Sequence, residues 1–198
     1  MWIYEKKLQY PVKIKTPNAK LAMAIVSQVG GPDGELAASQ RYLNQRYTMP
    51  NGRAVAMLTD IGTEEMAHIE IVSAIVYQLT RNLTPAEIKA AGFDAYYVDH
   101  TTGVYPVSAG GVPFSVTYFQ SKGDAVTDLF EDLASEQKAR TTYDNLIRLT
   151  DDPDVLDPLR FLREREIVHF QRFGETLENI RSELPHGNVY ACNPEFDK

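Results

Sequence analysis

The chain has 198 residues, 43% of them hydrophobic and 24% charged, with a net charge of −7. That is the composition of an ordinary globular protein, and the length suits one domain spanning 1–198. Acidic and basic residues are interspersed, so no basic tract exists to neutralise phosphates and nucleic acid is excluded as a partner.

Residues 1–17, with Pro11 and Pro17, read as an extended N-terminal arm. The opening MWIYEKKLQYPVKIK lacks an apolar core of signal-peptide length, and no run reaches the ~18 apolar residues of a membrane span. Synthesis in the cytoplasm and no membrane association are expected. Residues 18–29 predict a short helix, ended by Gly30 and Gly31, with Pro32 opening a second helix over about 32–48. Leu36, Leu43 and Tyr47 are its apolar positions. MPNG (49–52) is a turn. Val55, Leu58, Ile61, Ile69, Val72, Ile75, Val76 and Leu79 then give residues 53–82 a strong helical period.

Residues 83–123 carry Pro85, Pro106, Pro113 and Gly110–Gly111, and read as a crossover in which Thr84 and Pro85 open a short helix. Two long helices follow, 124–150 and 153–183, separated by DDPD, with Asp152 an expected N-cap and Pro153 in the first turn. The tail, 184–198, is irregular. Its lone Cys192 has no partner for an internal disulfide, which suits a reducing compartment. Two helical hairpins joined by a crossover this long predict an all-α, four-helix bundle with one long connection between helices 2 and 3.

The last long helix raises a packing question. Leu159, Leu162, Glu166, His169, Phe170, Phe173 and Leu177 share one stripe, and a glutamate and a histidine interrupt it. Glu166–His169 has a twin in Glu65–His68, again Glu-x-x-His. Glu35 lies 30 residues before Glu65, and Glu136 lies 30 before Glu166. Taken singly these residues have ordinary explanations: Glu35 favouring a helix N-terminus, Glu136 paired with Arg140 one turn on, either histidine in a core. A duplicated spacing fits none of them. Residues i and i+3 share a helix face, and a partner some 30 residues away across a tight turn returns at a similar depth. The hairpins therefore bring four carboxylates and two imidazoles to one level. Buried bare, each carboxylate would cost on the order of tens of kcal/mol by idealised estimates. Two divalent cations resolve that charge, and carboxylate-plus-imidazole ligation suits manganese or non-haem iron. The neighbouring Glu64, Glu70 and Glu164 do not follow the duplicated spacing and are expected to be solvated.

The blocks GGPDGELAASQRYLNQRY, LTDIGTEEMAHIEIV, DLASEQKAR and LRFLREREIVHFQRF resemble the manganese catalases, a ferritin-like family, over residues 1 to about 180. The opening segment resembles in particular the spore-coat-associated CotJC proteins of that family. The resemblance implies a dinuclear manganese centre with a solvent-derived bridge (oxo, hydroxo or water). Glu35 and His68 would bind one metal, Glu136 and His169 the other, and Glu65 would bridge them. It further implies that Glu166 is an outer-sphere acid/base and that Tyr42 is a neighbouring phenol of the site. The reaction implied is disproportionation of hydrogen peroxide to water and dioxygen, the metals cycling between Mn(II)₂ and Mn(III)₂. A homo-oligomer, a hexamer by family habit, and a bacterial spore coat with other coat proteins as neighbours are implied as well. Ser135 departs from members with arginine at that position. Two other readings of the same ligands stand: a di-iron oxidase or peroxidase, and a mainly structural coat protein retaining a metal site.

Overall fold

The computed structural model describes residues 7–184. Eight α-helices form in this span: α1 (Ala19–Ile25), α2 (Ser27–Gly30), α3 (Glu35–Gln45), α4 (Gly52–Thr80), α5 (Pro85–Ala90), α6 (Asp94–His100), α7 (Ala125–Ile147) and α8 (Pro153–Glu183). The hairpins α3–α4 and α7–α8 pack together as a ferritin-like helical bundle, and α4 meets α8 across its middle. No helix of the described residues is long and apolar enough to cross a membrane. The expectations for the tail, including Cys192, fall outside the described residues.

Local chemistry sets the boundaries. Asn51 caps α4 by accepting from the Ala54 N–H at 2.9 Å, Asp124 caps α7, and Asp152 caps α8 with Pro153 in its first turn. The expected 18–29 helix divides at Val26 into α1 and α2. The second helix begins at Glu35, not Pro32. Gly34 is its N-cap in an extended conformation and packs against the end of α2, where an added Cβ would stand 2.7 Å from the Ser27 carbonyl oxygen. Tyr47, expected to face inward, falls in the 3-10 turn Arg46–Thr48 and is exposed.

The crossover is more ordered than its composition implied. Thr84 and Glu87 form a reciprocal capping box on α5. The helix α6 was not expected, and a 3-10 turn spans Val116–Phe119. The N-terminal arm lies along the bundle, clasped by one side chain: Gln78 accepts from the Ile14 N–H at 2.8 Å and donates to the Val12 carbonyl at 2.9 Å.

Two apolar cores fill the bundle. One gathers Ile71–Leu79 of α4, Tyr143 and Leu146 of α7 and Val155–Leu162 of α8, together with the arm and α1. The other gathers Ala54–Ile61, Ala125–Leu129 and Phe173–Ile180 with Ala38 and Tyr42 of α3. Each long helix thus carries apolar residues toward both ends and changes character in the middle. There, α3 closes on α4 at Gly62: a Cβ would stand 2.9 Å from Leu43 Cγ, and Ser39 Oγ donates to the Gly62 carbonyl at 2.9 Å. Gly62→Val should wedge this contact open, costing about 2 kcal/mol and lowering the Tm by roughly 4–8 °C. A melting curve matching the parent's would refute the tight approach.

Candidate metal centre

The layer between the two cores is polar and buried. Glu35, Glu65, His68, Glu136, Glu166 and His169 are each 2% exposed or less. Glu35 comes from the first turn of α3, Glu65 and His68 from the middle of α4, Glu136 from α7, and Glu166 and His169 from α8. All six expected ligating or proton-carrying residues at the repeated spacing are therefore brought together. Ligand atoms of Glu35, Glu65, His68 and Glu166 lie within 4.8 Å of one another, and so do those of Glu65, Glu136, Glu166 and His169. Two adjacent four-residue cages result, sharing Glu65 and Glu166.

Glu65 lies between the halves. Its Oε2 is 2.7 Å from His68 Nδ1 and its Oε1 is 2.7 Å from His169 Nδ1. Glu35 stands 3.7 Å from His68 Nδ1, and Glu136 stands 3.5 Å from His169 Nδ1. The two imidazoles stack with centroids 5.6 Å apart. Glu136 Oε2 and Glu166 Oε1 are buried without a hydrogen-bond partner among the described residues, and the approach of Glu65 Oε1 to His169 Nδ1 lacks hydrogen-bond geometry. Such orphaned groups are rare in a folded interior, because each costs about 1–3 kcal/mol. Here they are the groups that face the shared space. Oxygen and imidazole nitrogen donors in this number and span fit two divalent cations.

The electrostatics agree. Burial, reinforced by Glu65, pushes the Glu35 carboxyl up to about 8. Burial also raises Glu136, and it raises Glu166 far above the usual carboxylate range, with Glu35, Glu136 and Glu65 adding to the effect. The neighbours first expected around Glu166 are not the cause, since Ile167 and Phe170 are partly exposed and point away from the inward stripe. Burial opposes ionisation of Glu65 too, but the two histidines outweigh it and hold that carboxyl well below 4.5. Both histidines are raised well above 6.5, the carboxylates, Glu65 foremost, outweighing desolvation.

Two tyrosines lock the outer carboxylates, and they cross. Tyr42 of α3 donates to Glu136 of the other hairpin, while Tyr143 of α7 donates to Glu35. Tyr42 is seven residues after Glu35, and Tyr143 is seven after Glu136. Extending the repeat by seven would have found Tyr143.

Glu64 corrects the expectation that it is solvated. It is largely buried and gathers four side chains on the outer side of the histidines. Its Oε2 is 3.0 Å from His169 Nε2 and its Oε1 is 3.8 Å from His68 Nε2. Arg165 Nε pairs with it at 2.8 Å, and Gln9 Nε2 donates at 2.7 Å. That carboxylate favours hydrogen on His169 Nε2, leaving this ring's Nδ1 lone pair directed into the cages. Glu70 and Glu164 are exposed, as expected. Arg140, the other partner weighed for Glu136, pairs with Asp144 at 2.7 Å.

Glu64→Ala should weaken divalent-metal affinity by about 10–100-fold, read by competition with a chromogenic chelator. Parental affinity would show that the histidines need no such anchor. The metal-free protein should lose stability as pH rises from 4.5 to about 8. Over that window the folded state keeps a proton on Glu35 that the unfolded state releases, so the unfolding free energy falls with pH. The raised histidines act in the same direction, their contribution being complete below 6.5 and lost toward higher pH. Metal uptake should accordingly release protons and tighten with pH, which calorimetry in buffers of different ionisation enthalpy measures.

Comparison with known proteins places this arrangement. The sequence model described as manganese containing catalase matches residues 1–191. Protein CotJC of Bacillus subtilis is 55% identical over 190 residues, covering 96% of this chain and 100% of its own length. A probable manganese catalase of Clostridium acetobutylicum is 32% identical, covering 92% of this chain and 82% of its own. Among solved structures, KatB, a manganese catalase from Anabaena, superposes with a TM-score of 0.85 at 30% identity, covering 96% of this chain and 86% of that one. The chain belongs to the manganese containing catalase family.

Proposed function

We propose that the protein is a manganese catalase, forming one domain, that disproportionates hydrogen peroxide to water and dioxygen, and that it works as a homo-oligomer, a hexamer, in the bacterial spore coat. The observation that carries the enzymatic part is the pair of adjacent cages sharing Glu65 and Glu166, with orphaned ligand atoms turned into both. Family membership supplies manganese as the metal. The resemblance to the spore-coat-associated CotJC proteins, with Protein CotJC of Bacillus subtilis 55% identical, supports the spore coat.

Glu35 and His68 would hold one ion, Glu136 and His169 the other, and Glu65 one oxygen toward each. Bound there, a manganese pair supplies the two-electron redox chemistry by which one peroxide is reduced and a second is oxidised.

The chain's own residues do the rest. Tyr42 and Tyr143 each engage one oxygen of an outer carboxylate, which leaves the other free to ligate. Glu65 stays ionised between the histidines. Glu166 differs. It reaches both cages, no hydrogen bond satisfies its Oε1, and burial with three neighbouring carboxylates favours its protonated form. A carboxyl that holds a proton near neutral pH beside the substrate space is suited to carry protons between the two peroxides. Glu166 is assigned that role rather than a place among the ligands.

Glu166→Gln should keep two metals per subunit and lose most turnover, about 100-fold or more. Loss of metal from this variant would make Glu166 a ligand and move the site toward the di-iron pattern. Elemental analysis of the purified protein beside dioxygen evolution from peroxide at an oxygen electrode tests the whole reading. Iron in place of manganese, or a full manganese load with no dioxygen, would overturn it.

A further inference from the structure

One buried acidic group beside the centre is left unused by the metal cages. Asp128, Asp132 and Glu136 follow one another by single turns along α7, and all three are buried. Asp128 is satisfied by the crossover, its two oxygens accepting from the Lys122 N–H at 2.7 Å and the Gly123 N–H at 3.0 Å. Glu136 is held by Tyr42. Asp132, between them, has no hydrogen-bond partner for either oxygen.

Gln45, in the last turn of α3, is buried in the same condition, with both atoms of its amide unpartnered. Burial drives the Asp132 carboxyl well above the usual carboxylate range; Arg41 and Gln45, close by, pull the other way, yet no Asp132 oxygen meets hydrogen-bond geometry with either. Arg41 is engaged elsewhere. Its Nε donates to the Phe119 carbonyl at 2.9 Å, its Nη2 to the Tyr118 carbonyl at 2.6 Å, and its Nη1 to Ser135 Oγ. The guanidinium therefore ties the crossover's 3-10 turn to the residue preceding Glu136. A longer side chain at 135 would compete for the space this contact uses.

Four buried polar atoms, two on Asp132 and two on Gln45, thus lie together one helical turn from a metal-cage carboxylate. Leaving them bare would cost about 1–3 kcal/mol apiece, and proteins fill such places with water making ~3 hydrogen bonds. The local charge selects the occupant. Arg41 disfavours a metal cation, and a buried carboxyl beside an amide offers donors and acceptors together, which suits a small neutral molecule able both to donate and to accept. Water and hydrogen peroxide share that chemistry.

We propose that Asp132 and Gln45 form a buried binding site for such a molecule, holding water at rest and peroxide during turnover, one helical turn from Glu136. The peroxide half rests on the catalase reading, while the water half does not. A surface cleft lined by Thr117, Gln120, Lys122, Thr127, Phe130 and Glu131 opens beside the crossover residues that Asp128 and Arg41 hold.

A high-resolution crystal structure of the purified full-length protein should show ordered solvent within hydrogen-bond distance of an Asp132 oxygen and of the Gln45 amide. A dry site, with Asp132 bonded directly to Gln45 or Arg41, would overturn the proposal. Asp132→Leu should expel that solvent, keep the parental metal content by elemental analysis, and lower kcat/KM for peroxide about tenfold, with most of the loss in KM. Parental kcat/KM at full metal load would remove peroxide from the site. Should Asp132→Leu not fold, Asp132→Asn, which keeps the shape and hydrogen bonding, should retain the solvent, and its loss there would count equally against the site. Should the parent evolve no dioxygen, the catalase reading fails by itself, and the solvent on Asp132 and Gln45 still decides the site.

Discussion

Four carboxylates and two imidazoles, buried at one level of a helical bundle, are the constraint around which the rest of the chain is arranged. Clustered carboxylates in a dry interior repel one another and resist ionisation together. The fold meets this by dividing the burden. Glu65 is kept charged between the two histidines, while Glu35, Glu136 and Glu166 are driven toward protonation. Apolar cores flank the layer on either side. The close contact of α3 with α4 at Gly62, one turn before Glu65, holds the two helices of the first hairpin at the separation the cage needs.

The two hairpins are near copies at the centre and differ at its edges, and the differences give the site its two sides. Positions 35, 65, 68 and 42 match 136, 166, 169 and 143 in type and spacing, and the tyrosines cross between hairpins. The residue before each Glu-x-x-His breaks the match: Glu64 in one hairpin, Arg165 in the other. These two pair with each other at 2.8 Å behind the histidines. An exact repeat would have put two like charges there. The residue before each tyrosine breaks it as well, being Arg41 in one hairpin and Thr142 in the other. Arg41 reaches toward the crossover, so one side of the centre is closed by an ion pair and the other by a guanidinium that holds a loop.

This pattern explains what could be read from the sequence. The buried Glu/His cluster was legible because the sequence repeats a spacing of residues that a core would otherwise exclude. The boundaries of α8 were legible because Asp152 and Pro153 act locally. The inward face of α3 was not. It presents Glu35, Ser39, Tyr42 and Gln45, with Arg41 buried beside them, so a search for apolar periodicity selected Leu36, Leu43 and Tyr47 instead, of which Tyr47 is exposed. Phe170 was placed inward for the same reason, by counting apolar residues on a stripe whose centre is polar. Glu64 was set aside because it stood off the repeat. Its role depends on Arg165 and Gln9, 101 and 55 residues away, which no local pattern connects.

Gln9 carries the argument beyond the bundle. It lies on the N-terminal arm, yet donates to the carboxylate that faces both histidines. The arm is fixed at several further points: Tyr10 bonds to both oxygens of Asp157 at 3.0 Å and stacks on Phe161 at 4.4 Å, and Gln78 clasps Val12 and Ile14. Phe161 in turn meets the His68 ring edge-on at 6.4 Å. The extended arm is thereby part of the wall behind the histidines, touching the outer side of His68 through one aromatic ring and one carboxylate. A segment that forms no helix thus helps to hold the carboxylate that bonds His169 Nε2, and the polar centre is bounded by the arm on that side as it is by Arg41 and the crossover on the other.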